Sequence, residues 1–289
     1  MSGLPSGVGF IGLGNIGRPM AERLVDWPGG LWIYDVDANA MAALESQGAK
    51  AAPSPRDLAA HAGVVCVMVR DDEQVRSVLT GPDGLLAGAH TGAVIVLHST
   101  IRAETAAEME LVSAPHGVGV LDAPVSGGAP GARDGRLAVL CGGKGEAFDA
   151  AKPVLDRMGE LVVHLGPVGS GTRAKLARNL LHFVAFAATT EANRLAEAAG
   201  IDLQLLGKVV RHTDAITGGP GAIMLRDTTD PIPSDSPWFG ILDAVRILGE
   251  KDLSFAIELA EQLDVDVPLA RVALDELAEG LGLPRKDDA

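Results

Sequence analysis

Short apolar runs rich in β-branched residues recur along the first part of the chain: Val8–Ile11, Leu31–Tyr34, Val64–Val69, Val94–Leu97, Val118–Leu121, Leu137–Leu140 and Leu161–His164. Several are apolar throughout, as strands buried on both faces of a parallel sheet should be. Helix-like stretches separate them, and Ser54-Pro55 reads as an N-cap followed by proline in the first turn, with Pro53 and Pro82 marking loops. The alternation predicts a parallel sheet covered by helices up to about residue 165.

From Gly169 onward the pattern changes to apolar residues three and four apart among Ala, Leu, Glu and Arg, so the second part is expected to be all-helical. Thr172 to Ala199 holds neither glycine nor proline and predicts one helix of roughly 40 Å, from a rise of about 1.5 Å per residue. Its middle, Asn179 to Thr190, is apolar nearly all round, which predicts burial between domains or subunits. The proline-rich stretch Thr228 to Pro237 reads as an exposed loop, either a lid or a plain connection. The expected division is 1–167 and 168–289.

A chain of 289 residues, 47% of them hydrophobic, can fill the cores of two such domains. Its formal charge of -14 argues against nucleic acid, whose binding rests largely on basic residues. No basic cluster precedes the first apolar stretch, so no secretory signal is indicated, and the longest apolar run, Leu180 to Thr190, is too short to cross a bilayer. A cytoplasmic protein with no membrane partner is expected. Cys66 and Cys141 lie in apolar β-like runs and are read as reduced core thiols. The histidines do not fall at metal-ligand spacings and no His/Cys/carboxylate cluster is apparent, so no metal is expected. Gly-x-Ser-x-Gly is absent, which disfavours a serine hydrolase.

Gly12-Leu13-Gly14-Asn15-Ile16-Gly17 directly follows the first strand and leads into a helical stretch, the context a dinucleotide-binding fingerprint requires. Gly12 would allow the tight turn, Gly14 the approach of the pyrophosphate, and Gly17 the packing of helix on strand. The second strand ends at Asp35, eighteen residues after Gly17, where an acid can accept hydrogen bonds from ribose hydroxyls, though an acid there can also simply cap the next helix. Asp37 is close and no arginine follows Asp35, so a 2′-phosphate would face negative charge and NAD is favoured over NADP.

Helical spacing puts Lys175, Arg178, Asn179 and His182 along one face of the long helix. A lysine and an asparagine one turn apart can protonate and orient the same oxygen. An arbitrary helix lysine is more often simply solvated. Four segments in order, however, resemble the β-hydroxyacid dehydrogenase family, which includes 3-hydroxyisobutyrate and 6-phosphogluconate dehydrogenases. They are Gly12 to Leu24, Asp122-Ala-Pro-Val-Ser126-Gly127-Gly128, the stretch around Lys175, and Lys251-Asp252-Leu253, taken to open a helix. The resemblance spans nearly the whole chain. It implies an α/β Rossmann-type doubly wound domain joined by a long interdomain helix to an all-α domain, assembled as a homodimer or homotetramer. It also implies an NAD-dependent enzyme acting on a small hydroxy acid or its semialdehyde.

Carried over by residue, the resemblance makes Lys175 the general acid/base, and Asn179 a holder of the substrate oxygen. Ser126, Gly127 and Gly128 would grip the substrate carboxylate. Val69, Arg70 and Thr100 would lie along the cofactor, and Lys251 near its nicotinamide end. Departures concern substrate identity: Arg178 stands where asparagine or histidine is usual, Arg70 where proline is common, and Leu97-His98 where an acid and a small residue are usual. The first expectation is a 3-hydroxyisobutyrate-like substrate. The alternatives are an NADPH-dependent reductase of glyoxylate, succinic or tartronic semialdehyde and, from another class, a non-catalytic NAD-binding scaffold. Imine reduction is weakened by the presence of Lys175.

Overall fold

A computed structural model describes residues 6–224 and 228–284. The chain divides into two compact units, one ending at Arg178 and the other starting at Asn179. The first alternates strand and helix as the apolar runs foretell: β1 (Gly7–Ile11), α1 (Gly17–Glu22), β2 (Leu31–Tyr34), α2 (Ala38–Glu45), β3 (Lys50–Ala51), α3 (Pro55–Ala59), β4 (Ala62–Val67), α4 (Asp72–Thr80), β5 (Val94–Leu97), α5 (Ala103–Ser113) and β6 (Gly119–Asp122). It continues through β7 (Val125–Ser126), α6 (Gly128–Asp134), β8 (Leu137–Gly143), α7 (Gly145–Leu155) and β9 (Gly159–His164).

The strand order is β3-β2-β1-β4-β5-β6-β8-β7, with β9 also paired to β8. Pairing from β3 to β6 is parallel, and the order reverses beside β1, the arrangement of a doubly wound sheet. The sheet is parallel in the main, as expected, and departs from that at β8, which runs antiparallel to both β6 and β7. Only the short α6 and the two-residue β7 lie between β6 and β8, too little to cover a parallel crossover. Strands β3 and β7 are too short to leave a periodic signal, and β4 starts and ends two residues earlier than its apolar run suggests.

Alternate residues of the parallel strands enter two separate cores, as a period of two requires. Phe10, Cys66, Val96 and Leu121 join Met20, Leu24 and Leu44 in one cluster. Ile11, Val65, Val67, Ile95 and Leu97 join Leu58, Leu79 and Met109 in the other. Both cysteines are free and buried, as expected of core thiols. The Ser54 cap is present, its hydroxyl accepting from the Asp57 amide.

Helix α8 (Ser170–Ala198) starts in the first unit and ends in the second, close to the predicted span. In the single chain its apolar middle is exposed, Leu180 at 68% and Phe183 at 61%. The second unit adds α9 (Leu203–Thr217), α10 (Pro237–Gln262) and α11 (Pro268–Gly280). Residues 228–236 form no helix or strand, and the Ile232 amide donates to the Gly282 carbonyl at 2.8 Å while its side chain packs on Leu242, Leu281 and Leu283. Among the described residues no helix is long and apolar enough to cross a membrane.

Within the second unit, the buried Glu191 accepts from the amides of Leu269 (2.9 Å) and Ala270 (3.2 Å), orphan donors at the start of α11. Glu191→Gln leaves one of them facing an amide nitrogen. A loss of about 1–3 kcal/mol is expected, read as a lower urea midpoint for the unfolding of α11.

Candidate active site

The glycine turn after β1 is shaped by close contacts. Gly12 has φ +91°, and a Cβ there would run into the Met68 carbonyl. A Cβ on Gly17 would run into the Gly12 carbonyl, whereas at Gly14 nothing lies within 4 Å. So Gly12 is required by the approach of the chain after β4, Gly17 by the packing of the turn itself, and Gly14 leaves the main chain open to approach. Helix α1 starts at Gly17, the last glycine of the motif.

Asp35 follows the end of β2, and each oxygen of its carboxylate holds one amide: Oδ2 accepts from the Leu13 amide at 2.6 Å and Oδ1 from the Asp37 amide at 2.9 Å, which leaves further lone pairs. Capping of the following helix falls instead to Asp37, whose side chain accepts from the Asn39 amide. A cleft of about 350 Å³ borders the turn, lined by Gly12, Gly14, Asp35, Val36, Met68, Val69 and Arg70 among others. Its floor is stitched by Ser99, whose hydroxyl donates to the Val69 carbonyl (2.7 Å) and accepts from the Val69 amide (2.9 Å). Thr100, next to it, is exposed.

At the same carboxyl end of the parallel strands, three strands along from β1, Asp122 is completely buried at the end of β6. Its oxygens accept from the amides of Gly169 (2.7 Å) and Thr172 (2.6 Å) at the start of α8. Burial pushes the carboxyl up from its usual range, and the two amide bonds oppose that rise. The helix end comes so near that a Cβ on Gly171 would meet the carbonyls of Leu140 and Asp122, and one on Gly142 would lie 2.8 Å from the Gly171 nitrogen.

One turn further on, Lys175 is 9% exposed, and its ammonium donates to the Val125 carbonyl at 2.7 Å and the Ser126 hydroxyl at 2.9 Å. Burial, and then the charge of Arg178, lower its pKa from the ordinary lysine value. An ammonium has three protons, so one remains for another oxygen. Beside it the chain turns through Gly127 (φ +130°) and Gly128 (φ +62°), positive-φ positions without side chains where an anion can approach the main chain. The site thus combines a poised proton donor, a hydroxyl and an open backbone turn.

Within the first unit the fold gathers the glycine turn, Asp35, Val69 and Arg70 around one cleft, and Ser126 against Lys175. Arg178 follows Lys175 by one turn on α8. Asn179, on the same helix, is the first residue of the second unit. Lys251 also belongs to the second unit, where it pairs with Asp252 at 3.0 Å and lies over the Phe255 ring. Its motif lies well inside α10, which starts at Pro237, and does not open a helix as expected. Sequence reasoning assigned no role to Asp122, Ser99 or the Val125 carbonyl. Their partners lie about 30 to 50 residues away, so no local pattern reports them. Among the described residues no group of three or more His, Cys, Asp or Glu side chains could hold a metal ion.

Residues 7–166 match the family model described as the NAD binding domain of 6-phosphogluconate dehydrogenase. Residues 169–287 match the one described as NAD-binding of NADP-dependent 3-hydroxyisobutyrate dehydrogenase. An uncharacterized oxidoreductase of Mycobacterium tuberculosis is 51% identical over 97% of this chain and 95% of its own length. A 3-hydroxyisobutyrate dehydrogenase of Pseudomonas aeruginosa is 34% identical over 92% of this chain and 89% of its own. A crystal structure of a candidate oxidoreductase from Mycobacterium avium 104 has a TM-score of 0.92 at 48% identity, covering 96% of this chain and 99% of that one.

The contacts of Gly171 make it a sharp test of the helix anchor. Gly171→Ala must separate α8 from β6 and β8, and the loss of packing and of the Asp122 bonds is expected to cost about 3–5 kcal/mol, as breaking a buried charge network does. Denaturant unfolding of wild type and variant measures it; a change below about 1 kcal/mol, the size of an ordinary surface effect, contradicts the anchor.

Proposed function

The chain belongs to the 3-hydroxyisobutyrate and 6-phosphogluconate dehydrogenase-like family of oxidoreductases, and we propose that it transfers hydride between NAD and a small 3-hydroxy acid or its semialdehyde, with 3-hydroxyisobutyrate-like compounds first. The observation that carries this reading is the Lys175 ammonium held between the Val125 carbonyl and the Ser126 hydroxyl, with its pKa lowered. A lysine so placed can take the hydroxyl proton during oxidation and return it during reduction.

Bound in the cleft of the first unit, NAD would supply the hydride acceptor. The turn Gly12, Leu13, Gly14, Asn15, Ile16 and Gly17 would hold the pyrophosphate against the open face at Gly14, and Asp35 would accept from the ribose hydroxyls. Val69 and Arg70 would line the cofactor, and Thr100 would stand near the nicotinamide. Ser126, Gly127 and Gly128 would bind the substrate carboxylate, leaving its hydroxyl carbon for Lys175. Arg178, exposed and one turn beyond Lys175, would meet a second anionic or polar group of the substrate.

NAD is favoured because a 2′-phosphate beside Asp35 and Asp37 meets two carboxylates. One observation favours the NADPH-dependent semialdehyde reductase as second reading: the guanidinium-bearing Arg70 lines the same cleft as Asp35. Turnover of a 3-hydroxy acid panel with NAD and with NADP separates the two. A higher kcat/KM with NAD supports the first; NADPH-driven reduction of glyoxylate or tartronic semialdehyde, without NAD activity, replaces it with the second. NADH binding with no turnover of any acid or aldehyde leaves a binding scaffold.

Lys175→Ala is expected to lower kcat by roughly two to four powers of ten while NADH binding is retained. The pH profile gives a further outcome. Oxidation needs neutral Lys175, so kcat/KM should rise through a pKa below the ordinary lysine value. Removing the neighbouring charge in Arg178→Ala should move that limb to higher pH. The same variant should raise KM for acids bearing a second anionic group, and an unchanged KM for every active acid would count against its substrate role.

A further inference from the structure

His98 lies in the first turn after β5, is 1% exposed, and has not entered the account of the site so far. Its amide donates to the Val67 carbonyl at 2.8 Å, which binds the turn to β4. Its ring Nδ1 lies 2.8 Å from the Ala123 carbonyl. A carbonyl only accepts, so Nδ1 carries the proton, and in the neutral ring Nε2 is a bare acceptor. Nε2 is buried and has no partner among the described residues. The ring also lies nearly parallel to Phe10, centroids 6.4 Å apart, and Phe10 in turn packs under Gly17.

Ala123 is the link that matters. Its amide donates to the Leu97 carbonyl at 2.7 Å and its carbonyl takes the His98 ring, so both of its backbone groups are tied to the end of β5. Directly before it is Asp122, which holds the start of α8; two residues after it is Val125, whose carbonyl holds the Lys175 ammonium. An apolar side chain at 98 would leave the buried Ala123 carbonyl without its ring donor.

We propose that His98 is a positioning residue for Lys175: by fixing Ala123 it sets where the Val125 carbonyl and the Ser126 hydroxyl meet the lysine ammonium, and it couples that point to the glycine turn through Phe10. The role deepens the catalytic reading and rests on it. Burial holds the imidazole pKa down at about 4, which keeps the ring in the neutral form this geometry needs.

The test uses the full-length chain with His98→Phe, which keeps a ring but no donor, and His98→Asn, whose amide nitrogen falls near the place of Nδ1. Two readouts are taken: kcat and KM with the best hydroxy acid, and the Lys175 pKa from NMR of isotope-labelled lysine. His98→Phe is expected to lower kcat about tenfold, short of the hundredfold that a 1 Å misplacement can cost, with NADH affinity within about twofold, and to move the Lys175 pKa. His98→Asn is expected to restore both, even where its Tm is no higher than that of His98→Phe. An unmoved Lys175 pKa in His98→Phe, or losses in kcat that follow Tm across both variants, overturns the proposal. Because the pKa readout needs no turnover, a wild-type chain inactive toward hydroxy acids sinks the catalytic reading while a shifted Lys175 pKa still supports the positioning role.

Discussion

The grip of Asp122 on the first turn of α8 is the constraint from which the site follows. A helix start carries amides without partners and a partial positive charge, and a carboxylate placed there satisfies both. Asp122 does so from a fully buried position, with bonds to Gly169 and Thr172. The approach is close enough that Gly142 and Gly171 cannot carry side chains without displacing backbone. Its charge is felt nearby: burial first, and then the field of Asp122, push the Cys141 thiol up to about 12. With the helix start so fixed, Lys175 has one place to go, and that place is Val125 and Ser126.

The same arrangement keeps the anchoring charge away from the lysine. Lys175 is as hidden as many core residues, but its partners are a carbonyl and a hydroxyl. A carboxylate in contact would stabilise the ammonium and raise its pKa; neutral acceptors leave desolvation in command, and the Arg178 charge adds to it. Asp122 serves the helix dipole instead. A buried carboxyl and a buried ammonium thus sit on either side of one helical turn, each with partners of a different kind.

The fold was largely legible in the sequence, because strand burial and helix length write periodic signals. The runs at Val8, Leu31 and Val94 became strands with almost the expected limits, and the unbroken stretch from Thr172 became one helix. The glycine spacing was legible partly for a local reason, since a side chain at Gly17 would meet the Gly12 carbonyl within the same turn, while Gly12 itself is confined by the distant Met68. Lys175 was singled out only through the order of four motifs, as its holder Val125 is fifty residues away. Asp122 and His98 were opaque in the same way: each works through a backbone group brought near by the sheet, and backbone groups carry no residue identity. The reversal at β8 left no local mark, because an apolar run does not record the direction in which it pairs with β6 and β7.

The acidity of the chain takes on a different meaning in this light. Read as composition, a charge of -14 only excluded polyanionic partners. In the structure, a recurrent use of carboxylates is to collect backbone amides: Asp37, Asp71 and Asp202 cap α2, α4 and α9, Asp122 and Glu191 hold the starts of α8 and α11, and Asp35 ties the glycine turn to β2. Each such charge is placed where the helix field or a cluster of N–H groups favours it. An acid in this role is a structural fastener, and Asp35 is both fastener and, on the proposed reading, ribose acceptor. Its two oxygens are already aimed by Leu13 and Asp37, so the lone pairs left for a ligand are oriented before the ligand arrives. That orientation ties ribose recognition to the shape of the glycine turn, and makes the two parts of the proposed cofactor site one rigid piece.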